Sequence, residues 1–586
     1  MIKPKGHSNR LGARYTRFMN RVHARLSTLA QPATLFTSMP EPRAIGVFAK
    51  GRQLLAGNFL FAGYLIVRPN TSIWYLQAPD EEFSKEIQGF TWLDDLAAVG
   101  DSASRAKAQA WIWEWIDLFG DGKGTGWTPE LTGRRLIRWI NHAIFLMRGL
   151  DKERSDAFYQ SLGQQTIFLA RRWQSSAHGI SRFEALAGLI YAGLALEGMS
   201  KHVGPALKAL SKECKEQIDS EGGLRTRNPE ELLEVFTLLT WVSAALHEAG
   251  REPSEIHQKA IEQIAPTLRT LRHSDGGLAR FHGGGRGLEG RLDSALAASA
   301  TKERNADGLS MGYARLSSGR TSVIIDASSP PSDDFSLNAH ASTLAFELTS
   351  GRRPVIVNCG SGASFGEDWR RAGRATPSHS TLTLDGFSSA RLGESGRGKG
   401  WRDERLVDVP KEVPIQMSQA SDGLRFEGGH DGYLATHGLT HARTLELTFD
   451  GRGMVGEDLL LSMSDPSKRQ FDRVMDAKSL QGIPYQLRFH LHPDVDATLD
   501  MGGAAVSIAL KSSEIWVFRH NSGGYLQLEP SVYLEKGRLK PRAAKQIVLS
   551  GVAMEYATRI RWSLAKAQDS AIAIRDLNRD ELDLTH

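Results

Sequence analysis

Between residues 102 and 271 apolar positions recur at i, i+3, i+4 and i+7, the spacing of a helix that buries one face. The pattern predicts helices over 103–118, 131–150, 157–173, 182–199, 205–218, 229–249 and 253–271, with a short one over 293–301. From about residue 308 the period drops to two. Segments such as TSVIIDAS, TLAFELTS, PVIVNCG, STLTLDG, ARTLELTF, LRFHLHP and KQIVLSG alternate apolar and polar positions and are cut by Gly, Asp, Asn and Ser. Helices first and strands second predict an α+β multidomain chain, helical hairpins followed by a large antiparallel β-sandwich. The turn-rich stretch 46–78 reads as strand-like and packed on the neighbouring helices.

Two five-residue segments repeat, each after a long amphipathic helix: Ser220-Glu221-Gly222-Gly223-Leu224 and Ser274-Asp275-Gly276-Gly277-Leu278. Their spacing fits two helices and two loops, and stacked hairpins either form an open solenoid or close into a ring. In a ring these loops gather at one rim, where glycine lets backbone approach a ligand; the plainer reading is a helix C-cap. The run Phe281-His282-Gly283-Gly284-Gly285-Arg286-Gly287 ends the helical half. It lacks the Gly-Lys-Ser/Thr ending of a phosphate loop and no strand precedes it. The divisions predicted are a basic arm at 1–44, a helical domain at 45–287, a connector at 288–307, a β-sandwich at 308–570 and a tail at 571–586.

Composition narrows this picture. With 586 residues, 41% hydrophobic and 24% charged, the chain can bury at least two cores. The net charge of +5 is a small excess of 72 basic over 67 acidic residues and does not argue for nucleic acid. The first 30 residues nevertheless carry Lys3, Lys5, Arg10, Arg14, Arg17, Arg21 and Arg25 and no acid. They read either as a solvated arm or as a basic helix on an anionic membrane surface, because Tyr15, Phe18, Met19, Val22 and Leu26 recur at helical spacing. No apolar run of about 7–15 residues comes after them, as a signal peptide would need, which places the chain in the cytoplasm. No run of about 18 apolar residues is present to span a membrane. Cys214 and Cys359 fall in different domains and read as thiols.

The candidate chemistry concentrates between Asp333 and Arg391. His340 and His379 each stand where a strand begins, with Trp369, Arg370, Arg371 and Arg374 between them. Arginine pairs a carboxylate bidentately and imidazole titrates near neutrality, so the set suits holding an anion and moving a proton beside it. Arg225 and Arg227, in the first repeated loop, are placed to hold an acidic sugar. Glu231 comes just after Pro229 in the first turn of a helix, where an acid is stabilised by the helix N-terminus in any case. His430, His437 and His441 read as structural or cleft-lining. Of Trp111, Trp113 and Trp115, a spacing of two leaves some for the core.

The segments 340–348, 353–360 and 374–386, with Phe90-Thr91-Trp92-Leu93-Asp94-Asp95-Leu96, Trp127, 132–136 and 189–194, resemble the heparinase II/III-like polysaccharide lyases. That resemblance spans about residues 45–560. It implies an incomplete (α/α) toroid followed by an antiparallel β-sandwich, a substrate cleft between them, and β-elimination on uronate-containing polysaccharides. It implies a catalytic set of Asn338, His340, Arg374, His379 and Glu231, and substrate contacts from Arg225, Arg227, His178, Trp369 and Arg371. No cofactor is required, although a structural zinc on His340, Asn358 and His379 is a candidate; an amide at Asn358 is a poorer zinc ligand than a carboxylate. The frame departs from the family at Asn338, where a histidine is usual, and at Glu231, where a tyrosine is expected. The usual acid–base set is therefore largely unmatched, which opens an alternative: a non-catalytic glycan-binding or envelope-assembly protein. Exported relatives make a periplasmic location the alternative to a cytoplasmic one.

Overall fold

A computed structural model describes residues 8–29, 33–38, 40–302, 308–393 and 404–567. The tail at 571–586, part of the connector (303–307) and residues 1–7 of the basic arm lie outside them. The basic arm contributes α1 (Ser8–Ser27), which lies on α8 (Lys152–Arg172). Asn20, Ala24 and Ser27 are buried there, and Arg172 Nε donates to Asn20 Oδ1 at 2.8 Å. Arg14, Tyr15, Arg17, Phe18, Arg21 and Arg25 face outward. Among the described residues no helix is long and apolar enough to cross a membrane.

The stretch 46–78 departs from the strand-like expectation. It opens with α2 (Phe48–Leu55), whose Gly51 and Leu54 are buried three residues apart, and only then forms a hairpin of β1 (Asn58–Phe61) and β2 (Tyr64–Val67). Next come α3 (Glu81–Gln88), α4 (Thr91–Val99), α5 (Ser102–Phe119), α6 (Pro129–Asn141) and α7 (Ala143–Met147). The helix predicted over 131–150 is thus two. His142 leaves helical geometry at φ −102, ψ 17, and its Nε2 meets Asp94 Oδ1 at 2.8 Å. Beyond α8 lie α9 (Ile180–Ala195), α10 (Val203–Gln217), α11 (Pro229–Glu248), α12 (Glu255–Thr270) and α13 (Arg291–Ala298).

Helices α4, α6, α9, α11 and α13 pack in succession as an inner row, backed by α5, α8, α10 and α12. This is the incomplete toroid. Its tightest crossing is α6 on α9: a Cβ at Gly188 would stand 2.3 Å from Gly133 Cα, so backbone touches backbone only because both residues are glycine. Trp111 and Trp115 are core residues of this half, packed with Phe90, Trp92 and Trp139.

The second half is a two-sheet antiparallel sandwich. One sheet joins β3 (Tyr313–Ser318), β4 (Thr321–Asp326), β5 (Phe346–Ser350), β6 (Arg353–Val357), β14 (Ile483–Leu491), β19 (Arg542–Ala553) and β18 (Tyr525–Tyr533) in that spatial order, with β7 (Leu382–Leu384) also on β14. The other runs β10 (Ile415–Gln419), β11 (Gly423–His430), β12 (Thr440–Thr448), β13 (Gly453–Leu461), β20 (Ala557–Lys566), β17 (Ile515–His520), β16 (Ala505–Ala509) and β15 (Asp496–Asp500). A side ribbon pairs β8 (Arg391–Leu392) with β9 (Leu406–Val407), and α14 (Glu367–Arg374), α15 (Leu434–His437) and α16 (Asp465–Ala477) fill connections. The period of two is visible in β12, where His441, Arg443, Leu445 and Leu447 all turn inward. Phe346, Phe489, Phe518 and Trp562 stack at the centre.

Polar bolts join the halves. Arg227 donates to Asp326 Oδ1 at 2.6 Å and to the carbonyls of Met311, Gly312 and Ser329. Arg280 donates to the carbonyls of Cys359 and Leu534 and lies 3.9 Å over the Tyr533 ring. His273 Nε2 meets Glu347 Oε2 at 3.2 Å.

Candidate functional site

Where the toroid rim meets the sandwich there is a cavity of about 400 Å³. Its toroid wall is the first repeated loop. Asp219 Oδ1 accepts from the backbone N–H of Glu221 at 2.9 Å and of Gly223 at 2.8 Å, and a bridge between Ile218 and Leu224 closes the turn. Gly222 has φ 74, and a Cβ there would meet Gln263 O at 2.1 Å. The second copy is built the same way: Asp275 Oδ1 accepts from Gly277 N at 2.9 Å, and Arg272 bridges Leu278. Residues 328–335, just beyond β4, form the opposite wall. Exposed Arg225 reaches across, its guanidinium 5.1 Å over the Phe335 ring, beside Pro330, Pro331, Asp333 and serine hydroxyls.

A second polar zone lines the inner row of the toroid around a small cavity of about 30 Å³. Arg134 is forked onto Glu184 (Nε–Oε1 2.8 Å, Nη2–Oε2 2.9 Å), Arg291 pairs with Glu234, and Arg138 Nε lies 3.0 Å from Asp94 Oδ2. Lys536, in the turn between β18 and β19, pairs with Glu230 at 2.6 Å, and Gly285 N donates to the same carboxylate.

The residues named from sequence divide between this cleft and the interior. Arg225 lines the cavity. Asn338 is exposed at the end of a short turn (Asp333–Asn338) and packs against Gly283. Glu231 is half-buried at the start of α11, where Asn228 Oδ1 accepts from the N–H groups of Glu230 and Glu231, and burial pushes its carboxyl up. A Cβ at Gly179 would stand 3.9 Å from Glu231 Oε1, which brings the His178 loop to the same rim. His178 Nδ1 is 2.9 Å from Glu213 Oε2. With Glu216 these give three ligand atoms within 4.8 Å of one another, but the cationic Arg182 already lies 2.9 Å from the imidazole.

The other expectations need correction. His340 and His379 are 1% and 0% exposed and bond to each other, His340 Nδ1 to His379 Nε2 at 3.0 Å, while His379 Nδ1 donates to Ala375 O at 2.9 Å. Both nitrogens of His379 are used and burial drives its pKa down to about 3, so it is neutral and sealed from substrate. Arg374 is a brace. It donates to the carbonyls of Ala339, Glu404 and Ser336 at 2.8, 2.9 and 2.8 Å, and burial lowers it to about 9. Arg227 lines the cavity, but its guanidinium is spent as the inter-domain bolt already described. Arg371 is spent on Glu404 and Glu367, and neither it nor Trp369 lines the cavity. A zinc ion does not fit the predicted set, because Asn358 Oδ1 accepts from Ser380 N at 3.0 Å and its Nδ2 faces Glu347. That leaves two histidines where a structural zinc takes four ligands.

Sequence reasoning missed Asp326, Phe335 and the inner-row carboxylates. Phe335 sits within the conspicuous Asp333-Asp334-Phe335 run. Glu184 and Glu234 had a signal too: each is a carboxylate set between apolar residues of its helix, Phe183 and Ala185 in one, Leu233 and Val235 in the other.

Toroid, sandwich and cleft together define a class, and comparison with known proteins gives it a name. Residues 300–563 match the family described as Heparinase II/III-like, C-terminal, and the chain belongs to the heparinase II/III-like family. It is similar to FtsZ-localized protein C of Caulobacter vibrioides, 30% identical over 560 residues covering 92% of each chain. Among solved structures, heparinase III superimposes with a TM-score of 0.65 at 13% identity, covering 94% of this chain and 90% of that one. The heparan sulfate lyase HepC of Pedobacter heparinus gives 0.54 at 13% identity, covering 95% and 89%. At such identity the likeness to these two enzymes is one of fold.

Proposed function

We propose that the chain binds a glycan in the cleft between toroid and sandwich without cleaving it, on a lyase scaffold that has lost its proton-transfer groups. One observation carries this: the cavity is lined by no imidazole and no phenol among the described residues, while His340 and His379 are sealed against each other. β-Elimination needs a base at the C5 proton and an acid at the leaving oxygen, each within about 3 Å. The carboxylate of Asp219 is engaged by its own turn. What the cleft does offer suits a sugar chain: an aromatic face at Phe335, a guanidinium at Arg225, and serine hydroxyls around them. FtsZ-localized protein C is named for its placement with FtsZ, and the same placement is proposed for this chain. The outward arginines of α1 would hold it near an anionic membrane surface.

The test is to titrate the full chain with neutral and acidic oligosaccharides by calorimetry while following ultraviolet absorbance for the unsaturated sugar that elimination releases. Binding without product is expected, and Arg225→Ala should weaken it at least tenfold. A second reading, a working lyase, rests on Asn338 and Glu231 standing at the same rim. Accumulating product that Glu231→Gln abolishes would establish that reading. Absence of binding to every glycan would overturn both.

A further inference from the structure

A cleft built to hold a polyuronate or a sulfated chain presents guanidinium forks with their donors open, because the ligand brings an anion with nearly every repeat. Here the cations of the inner row and of the seam between the halves are already matched. Arg134 is forked onto Glu184, and Arg291 pairs with Glu234, Arg138 with Asp94, Arg227 with Asp326, and Lys536 with Glu230. Arg225, the guanidinium at the mouth, packs over Phe335 in a cavity that also contains Asp219 and Asp333.

Two further carboxylates stand near these pairs, Glu86 by Arg134 and Lys536 and Asp95 by Asp94 and Arg138, each held by a backbone N–H. Glu86 Oε2 accepts from Ala62 N at 2.8 Å, and Asp95 Oδ1 accepts from Val47 N at 2.7 Å. A repeating anion threaded along this cleft would have to break existing ion pairs or lie beside carboxylates. A hydroxyl- or acetamide-bearing sugar would do neither, since it takes hydrogen bonds from paired groups without displacing the partner.

We infer that the ligand of this cleft is an uncharged glycan, and that polyuronates and sulfated chains are disfavoured. The inference rests on the glycan-binding reading and narrows its ligand class. It reverses the acidic polymer that the sequence resemblance implies.

The experiment measures affinity of the full chain for four hexasaccharides of equal length: an N-acetylglucosamine hexamer, cellohexaose, a galacturonate hexamer and a heparin hexamer. At least one neutral hexamer should bind ten times more tightly than either acidic one, with little dependence on salt. Tighter, salt-sensitive binding of an acidic hexamer would overturn the inference and leave the glycan reading standing. Failure of all four would overturn the inference together with that reading. The variant Asp333→Asn supplies an internal control, because Asp333 has φ 52, a conformation asparagine adopts readily. Removing this charge should raise the ratio of acidic to neutral affinity at least threefold. An unchanged ratio would show that charge matching is not what selects the ligand.

Discussion

Asp326 has no solvent exposure, and its carboxylate receives Arg227 at 2.6 Å, the Ser342 hydroxyl at 2.6 Å and the His282 imidazole at 3.4 Å. Burial works against its charge, but Arg227 and His282 outweigh it and hold the carboxyl far below the usual range. Neutralising it alone leaves Arg227 buried without a counter-ion, a loss of about 3–5 kcal/mol. Asp326→Asn should therefore lower the urea midpoint of the purified chain by that equivalent; an unaltered midpoint would refute the bolt. Single residues were only partly legible in the sequence. Arg225 was readable because it is a cation in the repeated glycine loop, which the ring reading places at the rim. His340, His379, Arg374 and Arg227 have the chemistry of a site and the burial of a core. Which way a side chain faces at the start of a strand depends on register, and register is set by the partner strand.

At the scale of elements, periodicity located the long helices because each carries apolar residues over several turns, α9 being buried all round from Ala185 to Ala195. Within 46–78 it found the strand-like hairpin but missed α2, a helix of only 8 residues and too short for the pattern to assert itself. The break of α6 from α7 at His142 was invisible because no proline or glycine marks it. For α1, sequence left a solvated arm and a membrane-lying helix open. The structure shows a helix docked on α8 by small and amide side chains, with the arginines on the other side beside Tyr15 and Phe18, which are 64% and 61% exposed. Each arginine near an anionic bilayer contributes about 1 kcal/mol. Arg17→Glu with Arg21→Glu should lower co-sedimentation with phosphatidylserine vesicles by more than tenfold and leave the weak background on phosphatidylcholine unaltered. Equal sedimentation of variant and parent would leave α1 a solvated surface.

For the whole molecule, the class and the order of its halves were legible, since a change of period from 3.6 to 2 survives any error in boundaries. The cleft came only through the family resemblance and its far wall was not legible, because the two walls are about 100 residues apart in sequence and their facing is a product of the bolts. Burial also gives the molecule a common acid sensitivity. His257, His490 and His492 are driven by burial to about 4 and His379 to about 3. These folded-state values lie below the unfolded value of about 6.5. The unfolded chain thus binds more protons in between, and stability is fully present above pH ~6.5 and lost as pH falls toward 4 and below. Each imidazole costs about 1.4 kcal/mol per pH unit, so about 2 kcal/mol apiece at pH 5, and four of them rival a typical domain's entire stability. Urea midpoints measured at pH 7.5 and 5.5 should drop steeply at the lower value; a flat profile would contradict the sealed, neutral state of these rings.

The ties made by Arg227, Arg280 and His273 bear on how anything gets in. Enzymes of two halves often work as jaws that shut on a guest, but here the seam is pinned by Arg227 and Arg280 into carbonyls and a carboxylate and by His273 on Glu347. On the glycan-binding reading proposed above, a guest would enter a gap whose walls are already tied together rather than one that closes around it.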